Sequence, residues 1–349
     1  MYSTQKNIEY KPPNLHQGVT CGTRLMLGGA GDHRIEGGLR YKGCYKISRQ
    51  NLPLVTIITV AANAEKTIEQ SILSVLEQTY ENIEYIIVDG ASADGTLDLI
   101  RKYESAIDYY ISEQDEGIYN AMNKGLSLAT GGFILILNSD DWYRRDAVKI
   151  LLDHAVKSGA DITHADANIV NAHGLVYQRV NAWLHDGLYT RGAPLRHETM
   201  LIKADIYNKF GKYDESYHVI SDYDYMVRLY SGSCSFKHVT EPLLYFRDTG
   251  VSNIDNEKRH ADRARFFGQL FPFLDNDDLS IMKRQGRLSA DTRLRLIDKH
   301  KGKSELFERS MIRNIVDNVV NEPSKHKHQS LMHKLICYFN DFIKYFKLK

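Results

Sequence analysis

The chain has 349 residues, of which 43% are hydrophobic and 26% charged, with a formal net charge of +1. That size supports one large α/β domain with appendages or two small domains. Charges of both signs are spread along the chain, which argues against nucleic acid or a strongly acidic partner. Cys21, Cys44, Cys234 and Cys337 form no CxxC knuckle and read as free thiols in a reducing compartment. The opening residues MYSTQKNIEYKPPN lack the apolar centre of a signal peptide, and no stretch approaches the ~20 apolar residues of a membrane span. A cytoplasmic location is therefore expected.

Residues 1–50 read as an irregular N-terminal arm with a hairpin near Gly37-Gly38. The run GGAGDH within it has the wrong glycine spacing for a dinucleotide fingerprint, and no apolar strand precedes it. At Pro53 the character changes. LVTIITVAA (54–62) is a buried strand, and Asn63 is a candidate cap for a helix carrying Ile68, Ile72, Val75 and Leu76. IEYIIVDG (83–90) is a second strand, and Asp94 is a candidate cap for the helix in DGTLDLIRKY. IDYYISE (107–113) is a third strand and GIYNAMNKGLSLA (117–129) a third helix. GGFILILNSDD (131–141) is a fourth strand, followed by a helix in RRDAVKILLDHAVKSG. This alternation predicts an α/β fold with an open, doubly wound, mainly parallel, Rossmann-like sheet. Residues 160–250 are mixed, and from about 257 the chain turns helical and charged. KHKHQ (325–329) reads as a basic hinge. The tail 331–349 reads as an amphipathic helix, for a membrane surface or for docking on protein.

In such sheets ligands bind beyond the carboxyl ends of the strands. Asn63, Glu65, Asp89, Asp115, Glu116, Asp140 and Asp141 all fall there. An apolar strand stopping in Asn138-Ser139-Asp140-Asp141 places two carboxylates at a sheet edge facing solvent, where their repulsion calls for a cation. Carboxylates are hard ligands suited to Mg²⁺ or Mn²⁺, which typically use one or two of them plus substrate phosphates. The alternative is a cap for the following helix. Asp89 can accept from a base or ribose, or form an Asx turn with Gly90. Asn123 and Lys124 lie on a helix from which Lys124 can reach a phosphate; the alternative is a solvated face.

Two segments carry a resemblance. They are PLVTIITVAANAEKTIEQSILSVLEQTYENIEYIIVDGASADGT and SEQDEGIYNAMNKGLSLATGGFILILNSDD, and they resemble the family 2 glycosyltransferases, whose catalytic domain has the GT-A fold. RHETMLIKADIYNKFGKYDESYHVISDYDYMVRL resembles the acceptor half of bacterial polysaccharide members, and EGGLRYKGCYKIS the lead-in of some of them. The likeness covers about 36–250 and implies a catalytic domain over 51–255, with a nucleotide-sugar half (51–150), an acceptor half (151–255) and a helical region after it (256–349).

The implied activity is inverting transfer from a nucleotide sugar, a UDP-sugar first among them, to a glycan or lipid-linked acceptor in cell-surface polysaccharide or lipopolysaccharide synthesis. Thr59, Ala61, Asn63 and Glu65 would line the nucleoside site, although Ala61-Ala62 stands where the family often has an aromatic residue. Asp89 would bind the uracil or ribose, with Asp115, Asn123, Lys124 and Ser139 near the donor. Lys124 stands for an arginine and offers a phosphate a contact that is not bidentate. Asp140 and Asp141 would hold Mn²⁺ or Mg²⁺. Asp222 would be the base, Asp224 the second choice, and Glu198, beside His197, a further candidate next to the acceptor. Nucleotidyl transfer would want a Gly-rich basic loop after the first strand, which AANAEKT is not, and an inactive nucleotide-sugar-binding module would not need the intact acids.

Overall fold

The computed structural model describes residues 19–21, 34–171, 175–180, 184–185, 187–191, 193, 195–248, 256–283 and 288–321. The chain divides into two compact units. The first comprises Met1–Ala182, Leu195–Ser221 and Arg228–Ile254; the second comprises Trp183–Pro194, Asp222–Val227 and Asp255–Lys349.

In the first unit, β1 (Val19–Cys21) and β3 (Cys44–Lys46) form a two-stranded ladder. The main sheet holds β2 (Ile35–Gly37), β4 (Val55–Ala61), β5 (Ile83–Asp89), β6 (Tyr109–Ser112), β7 (Phe133–Asn138), β8 (Trp142–Tyr143), β9 (Ile162–Val170), β10 (Val176–Val180), β11 (Leu201–Lys203) and β12 (Phe236–Arg247). Their order is β2-β6-β5-β4-β7-β11-β9-β12-β8, with β10 beside β9. β6, β5, β4 and β7 are parallel neighbours. β4 and β5 are buried along their whole length, as strands covered on both faces must be. On one face, Ile57 and Leu135 pack with Ile68 and Ile72 of α1 (Ile68–Leu76), Ile100 of α2 (Thr96–Lys102) and Leu151 of α4 (Ala147–Ser158). On the other, α3 (Ile118–Leu128) approaches β4 so closely that a Cβ at Gly125 would overlap Ile58.

The mainly parallel sheet expected from the sequence is present, and it is mixed where β11 pairs antiparallel with both β7 and β9 while β12 returns parallel to β9. Other expectations are corrected. Gly37-Gly38 makes no hairpin: β2 adds antiparallel to β6 and satisfies the edge that β6 would otherwise expose. Gly38 has φ +99°, and a Cβ there would stand 2.8 Å from the Ile107 carbonyl oxygen. Asn63 caps no helix, since α1 begins at Ile68. Instead Asn63, at φ 49°, joins two loops, its N–H donating to Ser92 Oγ (2.7 Å) and its Oδ1 accepting from Ala93 N (2.9 Å). Asp94 does accept from Thr96 N, the first residue of α2, at 3.0 Å. Neither Asp140 nor Asp141 caps α4, because β8 intervenes and α4 starts at Ala147.

The remaining helices among the described residues are α5 (Leu188–Arg191), α6 (Ala204–Phe210), α7 (Ser221–Ser231), α8 (Asn256–Leu270), α9 (Asn276–Met282), α10 (Ala290–Lys299) and α11 (Glu305–Asn321). In the second unit Phe267, Phe271, Phe307 and Met311 are fully buried, and Asp275 with Asp278 forms a reciprocal cap on α9. Asn314 donates to the Gly187 carbonyl (3.1 Å) and Thr190 Oγ1 (2.8 Å). Among the described residues no helix is long and apolar enough to cross a membrane. The hinge 325–329 and the tail 331–349 lie outside the described residues.

Candidate active site

The parallel register brings Ala61, Asp89 and Ser112 into one row at the strand ends. Asp89 is fully buried. Its Oδ2 accepts from Ser92 N (3.1 Å) and Ser112 Oγ (2.6 Å), and its Oδ1 from Ser92 Oγ. Asp89 thus closes a loop on Ser92, one residue further along than the Asx turn weighed for it. Thr59 is buried with its hydroxyl 3.1 Å from Tyr85 Oη. Asn63 and Glu65 are exposed beside this row, Glu65 N donating to Asp94 at 3.1 Å. Asp115 lies against Gly90, its Oδ1 accepting from Gly117 N at 3.0 Å. Burial, with Asp89 nearby, pushes the Asp115 carboxyl above its ordinary value despite the opposing Gly117 N–H and Lys124.

Lys124 does not reach outward: its ammonium pairs with Glu113 (2.8 Å) and donates to the Gln114 carbonyl (3.1 Å). Asn123 is committed within the protein, donating to the Tyr213 carbonyl (2.9 Å) and Glu215 (2.7 Å) and accepting from Tyr213 N (3.0 Å). It ties α3 to the segment after α6.

The turn after β7 carries the acids. Asp140 is partly exposed, but Asp141 is only 1% exposed, which corrects the expectation that both face solvent. The reason is the antiparallel pairing of β8 with β12, which folds Arg247 over the turn. Asp141 Oδ1 accepts from Arg247 N at 2.8 Å, and Arg247 Nε donates to the Asp140 carbonyl at 3.2 Å. The Arg247 guanidinium lies 5.0 Å from the Trp142 ring centroid, and Trp142 stacks on Tyr245. Glu198, also 1% exposed, sits on a 3₁₀ turn (His197–Thr199) beside them. Its Oε1 accepts from Asn138 Nδ2 at 2.7 Å. Asp141 Oδ2, Glu198 Oε2 and Asn138 Oδ1 are buried without a hydrogen-bond partner. Burial, then the charges of Glu198 and Asp140, hold the Asp141 carboxyl well above the usual range; burial and Glu198 raise Asp140.

These oxygens suit a hard divalent ion. Among the described residues no group of three or more His, Cys, Asp or Glu side chains is arranged to hold a metal alone. Two carboxylates completed by substrate phosphates is the arrangement such ions commonly use. Asp222 and Asp224 lie in the first turn of α7, partly buried, in the stretch that belongs to the second unit. Sequence reasoning missed Ser92, Ser112, Trp142 and Arg247. Ser92 carried a signal, a hydroxyl three residues past a strand-ending Asp. Arg247 carried none, because it acts mainly through its backbone N–H.

Residues 56–218 match the family model described as Glycosyl transferase family 2. The chain carries a family 2 glycosyltransferase domain. It is similar to chondroitin synthase of Escherichia coli, 28% identical over 219 residues, which is 60% of this chain and 32% of that one. The chain thus spans about a third of that relative's length. The glycosyltransferase domain shares its fold with residues 1–349 of S. aureus TarS solved in complex with UDP-GlcNAc, at TM-score 0.52 and 17% identity over 77% of this chain and 82% of that one. It is similar as well to the mannosyltransferase PcManGT from Pyrobaculum calidifontis, solved with GDP-Man and Mn²⁺, at TM-score 0.50 and 13% identity over 84% and 83%. The fold is GT-A, with a helical C-terminal region.

Proposed function

We propose that the protein is an inverting glycosyltransferase that moves a sugar from a UDP-sugar to a glycan or lipid-linked acceptor in cell-surface polysaccharide synthesis. The observation that carries this is the pair Asp140-Asp141 at the carboxyl end of a parallel strand, with buried carboxyl oxygen that no protein donor serves. The UDP-GlcNAc of the TarS structure and the Mn²⁺ of the mannosyltransferase support the choice of donor and ion.

Asp89, oriented by Ser92 and Ser112, serves the nucleoside together with Asp115, Asn63 and the Thr59–Ala61 strand end. Lys124, paired with Glu113, would give a phosphate a point charge rather than a bidentate contact only on leaving that pair. Asp140 and Asp141 would hold a Mn²⁺ or Mg²⁺ ion, which would neutralise charge on the departing diphosphate. Asp222 takes the proton of the acceptor hydroxyl as its oxygen bonds to the anomeric carbon and the bond from that carbon to the nucleoside diphosphate breaks. A single displacement inverts that carbon. The protein works on the cytoplasmic side, and the apolar, lysine-rich segment 331–349 is its candidate membrane contact.

Asp222→Asn tests the base. The amide keeps the side chain's size but cannot take the proton, so transfer should fall ~10²–10⁴-fold while UDP affinity holds. Asp224→Asn is the control. A loss confined to Asp224→Asn would move the assignment, and a product of retained configuration would overturn the mechanism.

A further inference from the structure

Glu198 is an acid that the proposed reaction does not otherwise employ. It is held rigidly in place. Its backbone carbonyl accepts from Tyr143 Oη at 2.6 Å, and the next residue, Thr199, donates through its hydroxyl to the Ala165 carbonyl at 3.1 Å and through its N–H to the Arg196 carbonyl at 2.9 Å. Its side chain is fixed by Asn138 at 2.7 Å. At 1% exposure it lies beneath the surface, as deep as Asp141.

What surrounds it is almost all acceptor. Asp141 Oδ2, Glu198 Oε2 and Asn138 Oδ1 are three buried oxygens without a hydrogen bond, with His197 Nδ1 at 3.5 Å from Glu198 Oε2, and Asp140 adds a third carboxyl group to the cluster. A buried charge without compensation costs several kcal/mol after relaxation. Sugar hydroxyls could satisfy the lone pairs but would leave the charge in place. A divalent cation answers both needs.

We infer that Glu198 is a positioning residue for that cation: it stands behind Asp141 and acts through its charge, making the end of β7 favour a divalent ion, without ligating the ion itself. This rests on the reading that Asp140 and Asp141 hold the ion. It moves Glu198 away from the acceptor side, where the sequence had placed it, and gives it to the donor side.

Charge and structure are separable here. Glu198→Gln keeps the volume and the oxygen that accepts from Asn138, and it adds an N–H facing the orphaned oxygens. Titration of the full chain with Mn²⁺ alone, by calorimetry, should show binding weakened about 10- to 100-fold, the range typical of residues lying behind metal ligands. The melting temperature of the metal-free variant should rise. Glu198→Asp, which keeps the charge and gives up the reach to Asn138, should bind Mn²⁺ more tightly than Glu198→Gln. Equal Mn²⁺ affinity of wild type and Glu198→Gln would overturn this inference and leave the Asp140-Asp141 reading standing. A wild type that binds no Mn²⁺, with or without UDP, would overturn both. A structural role alone predicts the reverse order, with Gln harmless and Asp damaging.

Discussion

At the amino ends of β4 and β5, Glu84 is 1% exposed, and donors surround it. Thr56 Oγ1 donates at 2.6 Å and Thr130 N at 2.8 Å, while the Thr130 hydroxyl and the Arg40 guanidinium donate to its other oxygen. Arg40, itself 2% exposed, spends a further N–H on the Leu128 carbonyl at 2.8 Å. At the carboxyl end of the adjacent β7, Asp141 is as deeply buried, yet one of its oxygens has no donor and its neighbours Asp140 and Glu198 share its sign. One sheet thus buries acids in two opposite ways. The first is complete within the protein and belongs to stability; the second is complete only with something bound, which is how a site differs from a core. Ion pairs buried this way are costly to break from one side.

The sharpest test of that contrast is Asp141→Asn. Metal-dependent transfer should fall by about three orders of magnitude, since a cation at a leaving group supplies several kcal/mol and each 1.36 kcal/mol is tenfold in rate. The metal-free melting temperature should hold or rise, because an unserved charge has gone. Initial rates at saturating Mn²⁺ and calorimetric melting check the two halves. A clear fall in melting temperature would place Asp141 with Glu84, as a structural acid.

Arg40→Ala should do the opposite. Removing one partner leaves Glu84 charged and buried, a loss of about 3–5 kcal/mol. Urea unfolding would read it, with turnover per folded molecule unchanged. Should turnover fall in proportion to the unfolding free energy lost, the two ends would be coupled and the division between them would fail.

A smaller effect is expected from a third buried group on the same sheet. His164 of β9 is 2% exposed and stacks on His238 at 4.9 Å, while His238 meets Asp166 at 2.7 Å. Burial, then the His238 charge, outweighs Asp166 and pushes the His164 imidazole from 6.5 down to about 3. The folded state therefore resists a proton that the unfolded chain takes up. This contribution is fully present above about pH 6.5 and is lost as pH falls toward about 3, at ~1.4 kcal/mol per unit. His164→Phe should flatten that part of the profile. Urea midpoints compared at pH 7.5 and 5.5 would decide it, and an equal slope in the variant would rule out His164 as its source.

The sequence by itself determined the elements whose signal is local. The runs 54–62, 83–90 and 131–141 became Val55–Ala61, Ile83–Asp89 and Phe133–Asn138, and 117–129 became Ile118–Leu128. Hydrophobic period and β-branching act within a few residues, so they can be read without a partner. The edge carrying Asp89, Asp115 and Asp140-Asp141 follows from strand direction alone. Tertiary structure decided the rest. A three-residue strand such as β2 or β11 has no period to read, and each exists because a neighbour's edge needed covering. The burial of Asp141, its contact with the Arg247 N–H and the approach of Glu198 likewise appear in no local pattern. Charge energy depends on which groups share a desolvated space, and residues far apart in the chain come to share one only when the sheet is assembled.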